Sequence, residues 1–209
     1  MTSRYGAFPA FAATATSASV VIYDQPAGVS QHQLRTLDNP QPSGAPLTFL
    51  LKDMRGPDWL EVYLPVRPNG SSGWVRTGDV SVSAVTFRVD VHLKAHVLYV
   101  FENGERRGSY PVGVGTQNTP TPGGIFYLKE LLTPTNRGGF YGPFAYGLSG
   151  FSNVLTKFGK GEGVIGIHGT NDETSVGKDE SHGCIRMHNA DITTLAHLLP
   201  LGTPVRILL

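Results

Sequence analysis

The sequence predicts a mainly β protein in two modules: a small barrel, then a larger β-rich domain with one or two short helices. Three observations point there. Glycine (26) and proline (15) are abundant in the 209 residues, while charged residues make up only 16%. Such chains break into short strands joined by turns. Apolar and polar residues alternate at strand period in several places, and one segment alone repeats apolar residues convincingly at helical spacing. The formal charge of +1 lacks the basic excess of a nucleic-acid binder. No apolar run approaches the ~20 residues that a membrane-crossing helix needs.

The elements follow in order. Residues 1–19 are rich in Ala, Thr and Ser, carry Arg4, and lack the continuous apolar stretch of a signal peptide. They are expected to form a flexible amino-terminal tail, with any export signal absent from the chain. Residues 20–83 are expected to form the first module. Val20–Tyr23, Leu47–Leu51 and Trp59–Leu64 are its strand candidates, separated by the turn clusters Pro40-Gln41-Pro42-Ser43-Gly44 and Pro68-Asn69-Gly70-Ser71-Ser72-Gly73. Trp59 and Trp74 are expected to pack in a core or between domains. Residues 85–209 form the second module. Phe87, Val89 and Val91 alternate with Arg88 and Asp90. Val97–Phe101 and Ser109–Val114 flank Asn103-Gly104, a dipeptide that tolerates positive φ at both central positions of a hairpin turn. Ile125–Leu128 and Val164–Ile167 read as short buried strands and Val205–Leu209 as the last. Asn189 is the expected N-cap of the helix carrying Ile192, Leu195, Ala196 and Leu199, which Pro200 and Gly202 stop.

The chemistry concentrates at Ser181-His182-Gly183-Cys184, which holds the one cysteine of the chain. A lone thiol cannot close an intramolecular disulfide, so it is either an inert buried hydrophobe or a reactive group. A histidine, a glycine and a hydroxyl beside it favour reactivity, because a thiolate needs a base or a positive neighbour to form. His168 ends the apolar run Val164-Ile165-Gly166-Ile167, which would hold its ring on a rigid strand. Between Leu131 and Lys160, a Gly- and aromatic-rich stretch reads as a lid or as core packing. Tyr141 and Phe144 are expected near a substrate groove and Phe151 in the core. His32, His92, His96, His188 and His197 are expected outside the site.

His168-Gly169-Thr170, followed by Ser181-His182-Gly183-Cys184-Ile185-Arg186-Met187, resembles the signature of the L,D-transpeptidases, the YkuD-type catalytic domain. Thr121-Pro122-Gly123-Gly124-Ile125-Phe126 and Tyr141-Gly142-Pro143-Phe144-Ala145-Tyr146-Gly147-Leu148 resemble two further segments of that family, in the family's order. The resemblance runs from about Val85 to Leu209. Asp58-Trp59-Leu60-Glu61-Val62 and Gly73-Trp74-Val75-Arg76 resemble the end of a bacterial SH3-like barrel, a module that often precedes cell-wall enzymes.

The resemblance implies that Cys184 is the nucleophile and His168 its base, in a thiolate–imidazolium pair. A third group should orient the imidazole. Where relatives carry a polar side chain this chain has Gly169, so only the Gly169 backbone carbonyl is available. Gly183 and Cys184 are the expected oxyanion donors. His182, Arg186, Ser181, Tyr141 and Phe144 are the candidate substrate-binding residues. For His182 a structural hydrogen bond fits equally well, and Arg186 would either hold a substrate carboxylate or fix the loop. The implied partners are peptidoglycan stem peptides and carbapenem β-lactams, with no metal or organic cofactor and an extracytoplasmic setting. The acceptor is an amine in a transpeptidase or water in an L,D-carboxypeptidase. Three other readings stand beside this one: a zinc site drawing on His168, His182, Cys184 and His188, a non-catalytic wall-binding protein, and a cytosolic thiol hydrolase.

Overall fold

Small side chains at the amino terminus make a strand where a tail was expected. In this computed structural model, which describes residues 8–26, 31–157 and 161–209, Ala10–Ala15 is strand β1. It lies antiparallel between two other strands, with Ala12 and Ala13 fully buried. An Ala- and Thr-rich composition reads as low complexity. Here its small volume is what fits: a Cβ on Gly202 of the second module would stand 2.4 Å from the Ala12 Cβ. The first seven residues of the expected tail lie outside the described residues.

After β1 come β2 (Ser19–Tyr23), β3 (Gln33–Asp38), β4 (Thr48–Arg55), β5 (Trp59–Tyr63), β6 (Ser72–Arg76) and β7 (Val80–Val85). They form one seven-stranded sheet in the order β3-β2-β6-β5-β4-β1-β7. Val20, Ile22, Phe49, Leu60, Val62 and Val75 close its core. Trp59 is buried, with Tyr23 edge-on at 5.3 Å and the Arg76 guanidinium 4.6 Å from its ring centroid.

The second module adds β8 (Phe87–His92), β9 (Val97–Glu102), β10 (Glu105–Pro111), β11 (Val114–Gly115), β12 (Gly124–Leu132), β13 (Ala145–Phe151), β14 (Val164–His168), β15 (Asp179–Ser181), β16 (Ile185–Arg186), helix α1 (Asn189–Leu198) and β17 (Pro204–Leu208). Eight of these strands make one sheet in the order β10-β9-β8-β17-β12-β13-β14-β16, and β11 pairs with β15 in parallel. The β9–β10 turn has φ of 52° at Asn103 and 89° at Gly104, as Asn-Gly demands.

Strand β13 occupies the middle of the stretch read as a lid. All seven of its residues are buried, so it shows no polar alternation to mark it. Its glycines, which read as loop signals, serve close packing: a Cβ on Gly150 would stand 2.3 Å from the Phe126 ring. Tyr146 on β13 donates its hydroxyl to the carbonyls of Leu195 (3.0 Å) and Leu199 (2.9 Å), which docks α1. Asn189 does not cap α1. His188 holds the N-cap position, and the Asn189 side chain turns instead to the Thr170 N–H.

The two sheets meet through Ala10, Ala12, Leu50 and Val85 packed on Tyr127 of β12. Gln41 adds a polar tie, Nε2 donating to the Lys129 carbonyl at 2.9 Å.

Candidate active site

Register brings the two chemical motifs together. β16 runs parallel to β14, with Ile185 opposite Ile167 and Arg186 opposite His168. One step back, Cys184 stands beside Gly166, where a backbone hydrogen bond reaches the thiol. Alternate residues of a strand share a face. Cys184 and Arg186 therefore face the same way as Gly166 and His168. Gly166 has no side chain, and a Cβ there would stand 2.7 Å from the Tyr146 carbonyl oxygen of the neighbouring strand. Cys184 and His168 line one groove of about 550 Å³ with Tyr141, Tyr146, Gly163 and Ile165.

The imidazole is held in one tautomer. His168 is 1% exposed, and Nδ1 lies 2.5 Å from the Gly169 carbonyl oxygen. A carbonyl only accepts, so Nδ1 carries the proton and Nε2 keeps its lone pair. Nε2 is buried and has no hydrogen-bond partner among the described residues. Burial lowers the His168 pKa to about 4; the Gly169 bond opposes this and the Arg186 charge adds to it. Burial also raises the Cys184 thiol, against the Gly166 bond and the Arg186 charge. Both shifts favour the neutral forms of thiol and imidazole, whereas the resemblance implied a thiolate–imidazolium pair.

Gly169 is held by a residue that the sequence reading assigned elsewhere. Asn189 Oδ1 accepts from the Thr170 N–H at 2.9 Å and packs between two glycines. A Cβ on Gly169 would stand 2.2 Å from that oxygen, and one on Gly142 2.3 Å from it. Helix-capping statistics gave Asn189 a local role, and no local pattern announces a bond across 19 residues. Phe140 is the other omission: its ring centroid lies 5.7 Å from that of His168 and 5.1 Å from the Arg186 guanidinium carbon.

The remaining candidates divide. Tyr141 lines the groove, with its ring 5.0 Å from that of His168. Phe144 does not: it packs on the core and meets His197 of α1 at 5.7 Å, because the chain turns inward at Pro143 to begin β13. Ser181 is buried and works inside the loop, its Oγ donating to the Cys184 carbonyl at 2.5 Å and accepting from the Gly183 N–H at 3.1 Å. This corrects both its substrate-binding assignment and the Gly183 oxyanion assignment, since that N–H is already engaged. Gly183 is needed for its φ of +114°. Cys184 N–H keeps its place as an oxyanion candidate. His182 is exposed at the rim, beside a small depression that Cys184 also lines. Arg186 is buried on the thiol's face, and its Nε has no hydrogen-bond partner among the described residues. No three His, Cys, Asp or Glu side chains gather to hold a metal ion among the described residues. Among those residues no helix is long and apolar enough to cross a membrane.

A buried histidine at the end of β14 and a thiol just before the parallel strand β16, lining one groove, define a β-rich protein with a cysteine–histidine site. Residues 86–207 match the model of the YkuD family, the L,D-transpeptidase catalytic domain. The chain is 32% identical over 154 residues to a Bacillus licheniformis relative named as the L,D-transpeptidase YkuD, covering 70% of this chain and 85% of that one. The chain belongs to the L,D-transpeptidase family. Among solved structures, Bdellovibrio bacteriovorus Bd1075 is 30% identical with a TM-score of 0.46, covering 59% of this chain and about half (47%) of its own. An L,D-transpeptidase from Mycobacterium tuberculosis shares the fold at 15% identity and a TM-score of 0.50, over 68% of this chain and 74% of that one.

Proposed function

We propose that the protein is a peptidoglycan L,D-transpeptidase that works through Cys184 and acts outside the cytoplasmic membrane. The observation that carries this reading is that Cys184 and the His168 ring, pinned by the Gly169 carbonyl, line one groove. In the reaction, His168 Nε2 takes the thiol proton as Sγ attacks the carbonyl that joins the third residue of a tetrapeptide stem to its terminal D-Ala. The Cys184 N–H supports the oxyanion. The C–N bond breaks, the proton passes from His168 to the leaving amine, and D-Ala departs from a thioester. An amine on the third residue of a second stem then attacks the thioester. It forms an amide, the 3→3 cross-link, and returns the proton to sulfur through His168. Water in place of the amine gives the carboxypeptidase outcome.

Arg186, on the thiol's face and with no hydrogen-bond partner for Nε among the described residues, would favour the donor's carboxylate. The amino-terminal sheet is read as the SH3-like module of this enzyme. The test is intact-mass spectrometry after incubation with meropenem and, separately, with a tetrapeptide-stem muropeptide. The wild type should gain one adduct and release D-Ala; Cys184→Ala should do neither. His168→Ala should lose nearly as much, since nucleophile and base act as a unit. Adduct formation by Cys184→Ala, or none by the wild type, refutes the reading. Product masses distinguish cross-linked dimer from hydrolysed tripeptide.

A further inference from the structure

The described residues between β13 and β14 form part of the wall around the thiol, and the amino-terminal sheet holds them there. Arg67, in the loop between β5 and β6, reaches across the module boundary. Its Nη1 donates to the Ser152 carbonyl at 2.9 Å, and its Nη2 to the carbonyls of Leu155 at 3.3 Å and Glu162 at 3.2 Å. The guanidinium carbon lies 4.9 Å from the Phe151 ring centroid. Asn69 pairs with the Phe151 backbone in both directions: Nδ2 donates to its carbonyl at 2.8 Å, and Oδ1 accepts its N–H at 2.9 Å.

The carbonyls Arg67 gathers belong to residues that share a groove or depression with Cys184. Glu162 lines the main groove with Cys184 and His168, and Ser152 and Leu155 line the small depression beside Cys184. The segment is closed at its base by the Ser152 N–H bonding the Gly163 carbonyl at 2.8 Å. It is braced inside by Ser152 Oγ, which accepts the N–H groups of Val154 and Leu155. A guanidinium is a rigid planar fork, so three carbonyls bonded to one Arg67 have their spacing set by it. An ammonium on a flexible stem offers no such template.

We infer that Arg67, supported by Asn69, is a positioning residue for the acyl-donor groove, so that the amino-terminal module shapes the reaction site without touching the reacting atoms. This rests on the proposed reading of Cys184 as an acyl acceptor. The experiment compares two reactions of the same thiol in the full chain: acylation by meropenem, which must occupy the groove, and alkylation by iodoacetamide, which needs only the thiol. Arg67→Ala should lower the second-order acylation rate about tenfold or more, mainly through weaker capture, since small misplacements of a binding wall are amplified in rate. Its alkylation rate and alkylation pH profile should stay within about twofold of wild type, because Arg67 is no part of the thiol–imidazole pair. Arg67→Lys, which keeps the charge and the stem but loses the fork, should fall between, and decides the question where Arg67→Ala fails to fold. Amide hydrogen exchange over residues 153–157 should quicken in either variant. Wild-type acylation rates in both variants overturn the inference, as does an equal fall of acylation and alkylation. A wild type that is alkylated but never acylated refutes the proposed function instead, and unchanged hydrogen exchange would then overturn the clamp on its own.

Discussion

The burial of His168 makes a prediction about acid that can be worked through. The unfolded imidazole titrates at 6.5 and the folded one at about 4. Below pH 6.5 the unfolded chain takes a proton that the native protein refuses until about pH 4, so the stability contributed by neutral His168 is complete above pH 6.5 and is lost as pH falls toward 4. At about 1.4 kcal/mol per pKa unit, the full difference is about 3 kcal/mol, of which about 2.5 kcal/mol disappears between pH 7.5 and 4.5. His168→Gln removes the titration while keeping a polar side chain of similar length. Urea unfolding followed by circular dichroism at the two pH values should show the wild type losing about 2.5 kcal/mol more than the variant. The His168 ring signal in NMR, assigned by its absence from the variant, should shift with a midpoint near 4. The acid limb of kcat/KM should fall near the same value, because the base stays neutral down to it. Equal acid losses in the two proteins, with a midpoint near 6.5, would refute the argument that burial governs this residue.

Three further predictions follow from the same geometry. Iodoacetamide should label Cys184 more slowly than a free thiol at pH 7.5 and should speed up as pH rises, because burial raises the thiol; Arg186→Gln should slow it further by removing a charge that favours the thiolate. Labelling faster than a free thiol would restore the ion pair. Gly142→Ala should reduce activity about tenfold or more, since a Cβ there meets Asn189 Oδ1 at 2.3 Å and the Gly169 Cα at 2.6 Å, on a backbone with φ of +64°, and displaces the carbonyl that orients His168. A normal acylation rate in a folded Gly142→Ala protein would show that the Gly169 bond is dispensable. Tyr127→Phe should raise stability by about 1 kcal/mol in thermal or urea unfolding, because its hydroxyl is buried between the sheets with no hydrogen-bond partner among the described residues. An unchanged or lowered midpoint would mean that the hydroxyl is satisfied.

What the sequence discloses depends on how far apart the interacting residues lie. Cys184 and His168 stood out because a lone thiol among small and basic neighbours is chemically unusual, and because His168 ends a short apolar run. The Gly169 carbonyl could be named as orienter because it adjoins His168 in the chain. The Asn103-Gly104 hairpin was legible for the same reason: its signal and its consequence share four residues. Asn189, Phe140 and Arg67 were not legible, since each acts on a partner distant in sequence and local statistics give each an adequate local role. Strand β13 failed in the opposite sense. Its glycines and aromatics carry the composition of a loop, and only burial on both faces makes it a central strand. The Ser181 and Gly183 corrections share one cause. Motif position says that a residue lies beside the nucleophile, but a hydroxyl and an amide that satisfy each other inside the loop cannot both serve the substrate. Those bonds hold the backbone of the Ser181–Gly183–Cys184 turn at the thiol's own residue. On the proposed mechanism, the donors that meet the substrate come from Cys184 itself and from the elements that line the groove around it.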